Sequence, residues 1–213
     1  MPFSQFLPHQ EYTKYWDHFY ESLPVMPPSS CARYVAQYWM KPNSEFLELG
    51  CGSGRDSIWF STLGHNVTGV DLSEKAIEVC RSQNSAAKFI QADFSNLQFD
   101  HLFDVIYSRF TLHSVNDATE AKTIQGVHRL LKPGGLFIVE ARSIYDELFG
   151  LGTRMSEREW IHDDHYRRFL DPVVFLKNTK AVGLEPKFIL MSKGLSPWKE
   201  FDPVALRIVF EKK

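Results

Sequence analysis

Residues 45–54, Glu-Phe-Leu-Glu-Leu-Gly-Cys-Gly-Ser-Gly, constrain this chain more than any other stretch. Glu45–Leu49 reads as a strand and runs with no spacer into Gly50, Gly52 and Gly54, after which a helix is expected from about Arg55 to Leu63. Strand, glycine turn and helix in that order form an α/β unit. The turn lets a ligand come close to the backbone, and the helix N-terminus offers unpaired N–H groups to an anion.

Dinucleotides and S-adenosylmethionine (SAM) are the two ligand classes that use such a turn. The dinucleotide fingerprint G-x-G-x-x-G needs a sixth-position glycine, where this chain has Arg55. The remaining chain repeats the strand–helix alternation. Further strands are expected at 66–71, 88–93, 103–108, 136–140, 186–191 and 204–210, with helices led by Ser73 and lying over 117–132 and 172–182. The closing two strands have only a loop with Gly194 and Pro197 between them, so they should be antiparallel neighbours. The expected fold is α/β, a three-layer αβα Rossmann-like sandwich around a seven-stranded, mostly parallel sheet with an antiparallel last strand.

Glu48-Leu49-Gly50-Cys51-Gly52-Ser53-Gly54 resembles motif I of the class I SAM-dependent methyltransferases. Asp71 resembles the acidic residue that in that family holds the ribose hydroxyls, with Leu72 after it. Asp93 resembles the one beside the adenine, with Phe94 next to the base, and Ser108 stands where the family often touches the methionine part. Leu131-Lys132-Pro133-Gly134-Gly135-Leu136 resembles the turn before the fifth strand. An aspartate ending one strand is commonly a solvated residue or a helix cap; several in order behind a glycine turn, over residues 44–140, are far more specific. The resemblance implies SAM as cofactor, S-adenosylhomocysteine (SAH) as its product, and Glu48, Gly50, Cys51, Gly52, Gly54, Arg55, Asp71, Leu72, Asp93, Phe94 and Ser108 as cofactor-binding residues.

Residues 1–43 are rich in aromatics and broken by Pro24, Pro27, Pro28 and Pro42. They are expected to form a helical cap on a core of residues 44–213, with Ser29 or Ser30 opening its second helix. In the resembled family such additions often close the site, which would make Trp16 and Tyr20 cofactor contacts; a helix packed on the core by its aromatic face explains them equally.

A formal net charge of -2 argues against a general nucleic-acid or anionic-membrane binder. Cys31, Cys51 and Cys80 form no CxxC pair and no zinc spacing, and the start has neither a cationic stretch nor an apolar run. A reduced, cytoplasmic setting is expected, as a monomer or homodimer.

Methyl transfer from a sulfonium is an in-line displacement. Alignment alone contributes on the order of 7–11 kcal/mol, and a base is needed only when the acceptor arrives protonated. Two clusters outside the cofactor motifs carry polar candidates. Arg109 and His113 follow the fourth strand, four apart and on one face if that segment is helical. His162-Asp163-Asp164-His165-Tyr166-Arg167-Arg168 lies in a long insertion after the fifth strand, where His165 offers a general base and Arg167 with Arg168 an anion-gripping pair. His162 and His165 lack a third ligand at a recognisable spacing, so no metal is expected. Glu140 and Arg142, following the fifth strand, also face the presumed cleft, and an internal salt bridge explains them equally well.

Gly52–Ser57 resembles the start of small bacterial tellurite-resistance-type and thiopurine-type methyltransferases. Tyr107–Ser114 with His165–Phe169 resembles methyltransferases of bacterial surface-polysaccharide modification, which implies a sugar- or phosphorus-linked oxygen as acceptor. The expected activity is O-methylation of a small polar or anionic acceptor. The alternatives are methylation of sulfur, selenium, tellurium or nitrogen, or a catalytically silent SAM-binding module.

Overall fold

The computed structural model describes residues 16–17, 26–163, 165–198 and 200–213. The chain divides into two compact units, Met1–Leu97 and Gln98–Lys213. Tyr20 lies outside the described residues, as does most of the aromatic segment.

The first unit runs α1 (Ser30–Tyr38), β1 (Glu45–Leu49), α2 (Arg55–Thr62), β2 (Asn66–Asp71), α3 (Glu74–Ser82) and β3 (Lys88–Gln91). Capping sets the helix starts: the Ser29 hydroxyl accepts from Ala32 N–H and the Ser73 hydroxyl from Ala76 N–H, each satisfying a first-turn donor. β1 pairs in parallel with β2, Leu49 opposite Val70, and β2 with β3, Asp71 opposite Gln91. Phe46, Leu49, Phe60, Val70 and Ile77 are buried here, with the Phe46 and Phe60 rings 4.3 Å apart. β3 stops two residues short of Asp93 because that carboxylate turns back to accept from Ser95 N–H at 2.8 Å, starting a 3-10 turn over Phe94–Asn96.

The second unit runs β4 (Phe103–Arg109), α4 (Asp117–Leu130), β5 (Leu131–Arg142), β6 (Thr153–Arg154), β7 (Glu159–His162), β8 (His165–Arg168), α5 (Pro172–Ala181), β9 (Leu184–Ser192) and β10 (Ala205–Lys212). β4 and β5 are parallel, while β10 is antiparallel to both β5 and β9. Phe137–Ala141 and Ala205–Phe210 are buried continuously, the pattern of strands covered on both faces. The large sheet has the order β3-β2-β1-β4-β5-β10-β9, so the αβα fold with seven strands and an antiparallel last strand is as the sequence indicates.

Three local expectations fail for identifiable reasons. β5 begins at Leu131 rather than Leu136, because Pro133-Gly134-Gly135 forms an irregularity inside the strand, with the register shifting between Phe103 and Val105 opposite it. The presumed long loop is a three-stranded antiparallel sheet, β6-β7-β8, whose β7–β8 hairpin closes at the pair His162 and His165. Arg109 and His113 do not share a helix face: Arg109 ends β4, Phe110 takes a left-handed φ of 53°, and only a 3-10 turn follows at Leu112–Ser114. No helix among the described residues is long and apolar enough to cross a membrane.

Candidate active site

In the first unit the glycine turn folds back onto the end of β2. Gly50 N–H and Cys51 N–H both donate to Val70 O, at 2.8 and 3.0 Å. Gly50, Gly52 and Gly54 have φ of 70°, 53° and 81°, values that side-chain-bearing residues rarely adopt. A Cβ on Gly54, the residue before α2, would lie 2.9 Å from Cys80 Sγ and 3.1 Å from the Phe89 ring. The Cys80 thiol in turn donates to Gly52 O at 3.1 Å, so α3 buttresses the turn from below.

Asp71 is fastened where the resemblance needs an acceptor. Its Oδ2 takes Gly52 N–H at 2.8 Å and its Oδ1 takes Ser73 N–H at 3.0 Å. A carboxylate has about four lone-pair sites, so both oxygens keep capacity for a diol. Burial raises the Asp71 pKa, and the backbone hydrogen bonds work against that rise. The next turn is also met from the N-terminal segment: Ser73 Oγ donates to Asp17 Oδ1 at 2.5 Å, with Trp16 half-buried beside it. Leu72 and Phe94 are half-buried, and Leu72 O accepts from Gln91 Nε2 at 3.3 Å.

Glu48 is buried and accepts from Ser57 Oγ at 2.5 Å. Burial first, and the nearby Asp56 carboxylate second, push its pKa up to about 8. Asp56 is itself buried, accepting from Ser29 N–H at 2.8 Å, Ser29 Oγ at 2.7 Å and Arg55 Nε at 3.1 Å. Arg55 is thus directed at its neighbour, and this Ser29–Asp56 link was not foreseen from the sequence. Cys51 is buried with its thiol pKa raised by burial and by the Cys80 thiol.

In the second unit, Ser108 lies next to last in β4, buried, with no partner for its hydroxyl among the described residues. Arg109 joins a buried network: its Nε donates to Glu140 Oε1 at 3.1 Å and its Nη2 to Ser196 Oγ at 2.9 Å. Glu140 is 0% exposed and also accepts from Arg207 Nε at 2.7 Å and from Ser196 Oγ at 2.5 Å. Arg109 therefore holds β4 against β5 and β10, the salt-bridge alternative for Glu140.

His113 and His165 come together despite their separation in sequence. His113 is buried, its Nδ1 has no hydrogen-bond partner among the described residues, and burial then Arg142, His165, Arg167 and Arg168 hold its pKa well below the usual value. Burial, then Arg167 and Arg142, lower the pKa of His165 to about 4. Both imidazoles are neutral at pH 7 in a cationic surround. The Phe110 ring ties this group together, with the Arg109 guanidinium 4.8 Å from its centroid, Arg142 at 5.8 Å and the His113 ring edge-on at 5.2 Å.

The expected arginine pair does not form, because neighbouring residues of a strand project to opposite faces. Arg167 Nη1 donates to His162 O at 2.9 Å, near His165. Arg168 is 0% exposed and commits its donors inward: Nε to Val115 O at 2.6 Å, Nη1 to Asp117 Oδ1 at 2.8 Å, and Nη2 to Leu112 O at 2.9 Å and to Glu120. It anchors the hairpin to the segment carrying His113. The place beside the histidines falls instead to Arg142, which the sequence set facing the presumed cleft with an internal salt bridge as the equal alternative.

Residues 47–139 match the family model described as a methyltransferase domain. The chain is 33% identical over 99 residues to an uncharacterized methyltransferase of Synechocystis sp., covering 46% of this chain and 47% of that one. It is 29% identical over 184 residues to the malonyl-[acyl-carrier protein] O-methyltransferase of Pseudescherichia vulneris, covering 83% and 70%. The chain thus spans about half the length of the first of these relatives. A SAM-dependent methyltransferase structure from Methanosarcina mazei superposes with a TM-score of 0.75 at 20% identity, over 84% of this chain and 96% of that one. The glycine turn fastened to the acidic end of β2 lies inside the stretch that matches a methyltransferase domain, and that match together with the methyltransferase relatives supports a class I SAM-dependent methyltransferase family.

Proposed function

We propose that this protein transfers the SAM methyl group to an oxygen of a small polar or anionic acceptor. The observation that carries the cofactor half is the Asp71 carboxylate, pinned by Gly52 N–H and Ser73 N–H with lone pairs left for a ribose diol. On this reading residues 1–43 cap the cofactor and residues 44–213 form the core, an organisation supported by the Asp17–Ser73 hydrogen bond. Ser108, with its hydroxyl buried and unpartnered among the described residues, would meet the methionine part.

For the acceptor, His165 and Arg167 remain the candidates, with His113 behind them. A base works best with a pKa near the working pH, and His165 at about 4 is far below it. It suits orienting an acceptor better than deprotonating a hydroxyl. The O-methyltransferase named for malonyl-[acyl-carrier protein] supports oxygen as the methylated atom. The test is calorimetry with SAH and NAD, followed by methyl transfer from labelled SAM to paired acids, alcohols and amines. SAH binding without NAD binding, and label in the acids or alcohols, is expected; NAD binding in place of SAH overturns the reading.

A further inference from the structure

We infer that Arg142, with His113 beside it, holds an acceptor that arrives already ionised, a carboxylate or phosphate-type oxyanion whose own oxygen takes the methyl group. This rests on the methyl-transfer reading above and narrows its acceptor class. Arg142 gives Nη1 to Asp146 Oδ2 at 2.9 Å, a pair that fixes the side chain's direction. Its Nε and Nη2 have no hydrogen-bond partner among the described residues, and the guanidinium stands over Phe110. A half-committed arginine of this kind keeps two parallel donors, the arrangement that matches an oxyanion bidentately.

Two further observations point to a ligand there. His113 Nδ1 is buried with no partner among the described residues, although buried polar atoms are nearly always satisfied. Phe110, placed against Arg109, Arg142 and His113, is a bulky residue held at φ 53°, a strain that persists where the surroundings impose it. Besides the neighbouring His165, the cationic groups that bear on His113 are Arg142, Arg167 and Arg168. Of the nearby carboxylates, Glu140 pairs with Arg109 and Arg207 and Glu120 with Arg168, while Asp146 takes a single donor of Arg142 and leaves its Nε–Nη2 edge for a ligand.

The reaction then balances with no proton moved. A lone pair of the oxyanion forms the new O–C bond, the C–S bond breaks with its pair going to sulfur, and the sulfonium loses its positive charge as the acceptor loses one negative charge, giving SAH and a methyl ester. Neutral histidines suffice, since no hydroxyl needs deprotonation.

The test follows the His113 imidazole by NMR in the SAH-loaded protein, with calorimetry of SAH on the same sample. Malonate, inorganic phosphate and neutral malonamide are titrated in turn. A saturable shift with malonate or phosphate, none with malonamide, and binding weakened roughly tenfold or more in Arg142→Gln is expected. A response to malonate alone assigns a carboxylate acceptor, and to phosphate alone a phosphate-type one. Arg142→Lys, which keeps the charge but loses the fork, should fall between, and serves if the glutamine variant does not fold. Unmoved His113 signals with both anions, or equal affinity in the Arg142 variants, overturn the inference. Loss of SAH binding itself would instead count against the methyltransferase reading.

Discussion

Replacing Gly54 by alanine separates two costs that the cofactor turn combines. The backbone there has φ 81°, and a left-handed conformation costs a side-chain-bearing residue roughly 1–2 kcal/mol. The new methyl would also sit 2.9 Å from Cys80 Sγ and 3.1 Å from the Phe89 ring, both within a buried cluster, and overpacking of this kind typically costs about 1–3 kcal/mol. Together these give about 2–5 kcal/mol, which for a chain of this size lowers the Tm by roughly 4–20 °C. Gly134→Ala is the control, since φ there is 74° but nothing lies within 4 Å of the added methyl, so only the backbone part should appear. Thermal and urea unfolding of both variants gives the difference. Adding Cys80→Ala to Gly54→Ala should recover part of it, with a coupling above about 0.5 kcal/mol, because the two groups collide directly. Equal losses in the Gly54 and Gly134 variants, or no coupling to Cys80, would refute the picture of a turn packed tightly on α3.

Asp71→Ala should weaken SAH by about 1–3 kcal/mol in calorimetry while the protein stays folded, since it removes the acceptor and frees Gly52 N–H. Glu48 stays neutral in the folded protein up to about pH 8, whereas an unfolded glutamate ionises near 4.5, so unfolding between these values releases a proton. The stability it contributes is full below about 4.5 and is lost as pH rises through about 8; urea midpoints should therefore fall over that window, and less steeply in Glu48→Gln. Arg168→Met should cost about 3–5 kcal/mol in urea unfolding, because Glu120 is left buried without its cation. His165→Ala should lower kcat by less than the ~100-fold typical of losing a general base, with SAH affinity unchanged; a larger loss would mean that His165 carries a proton after all.

The cofactor half was legible because it is local. Gly50, Gly52 and Gly54 sit at spacings that only a tight turn explains, and Ser73 and Asp71 announce the end of β2 and the start of α3 within three residues. The second half depends on contacts between residues far apart in sequence. β7 and β8 are four residues each and carry mostly polar side chains, so no apolar alternation separates them from a loop. Arg167 and Arg168 look like a pair until a strand sends them to opposite faces. Pro133-Gly134-Gly135 reads as a stop but is a kink that the strand passes through. Phe110 gives no hint of its left-handed backbone, and Arg142 meets the histidines only once β5 and the hairpin are in place.

Glu140 has a consequence for how this chain can diverge. Its carboxylate, entirely out of water, is shared by Arg109 from β4, Arg207 from β10 and Ser196 from the β9–β10 connection. Losing the glutamate alone takes the counter-charge from both arginines, and losing one arginine leaves one oxygen of the buried carboxylate short of its donor, whereas exchanging the whole group for well-packed apolar residues is often neutral or favourable. Single-step drift is thus opposed at Glu140 and at the two arginines that lie 31 and 67 residues from it. Among homologous chains these sites should be retained as a set or replaced as a set, with few sequences caught between. Because Arg109 also touches Phe110, a lineage that abandons the set would remodel its acceptor platform in the same step.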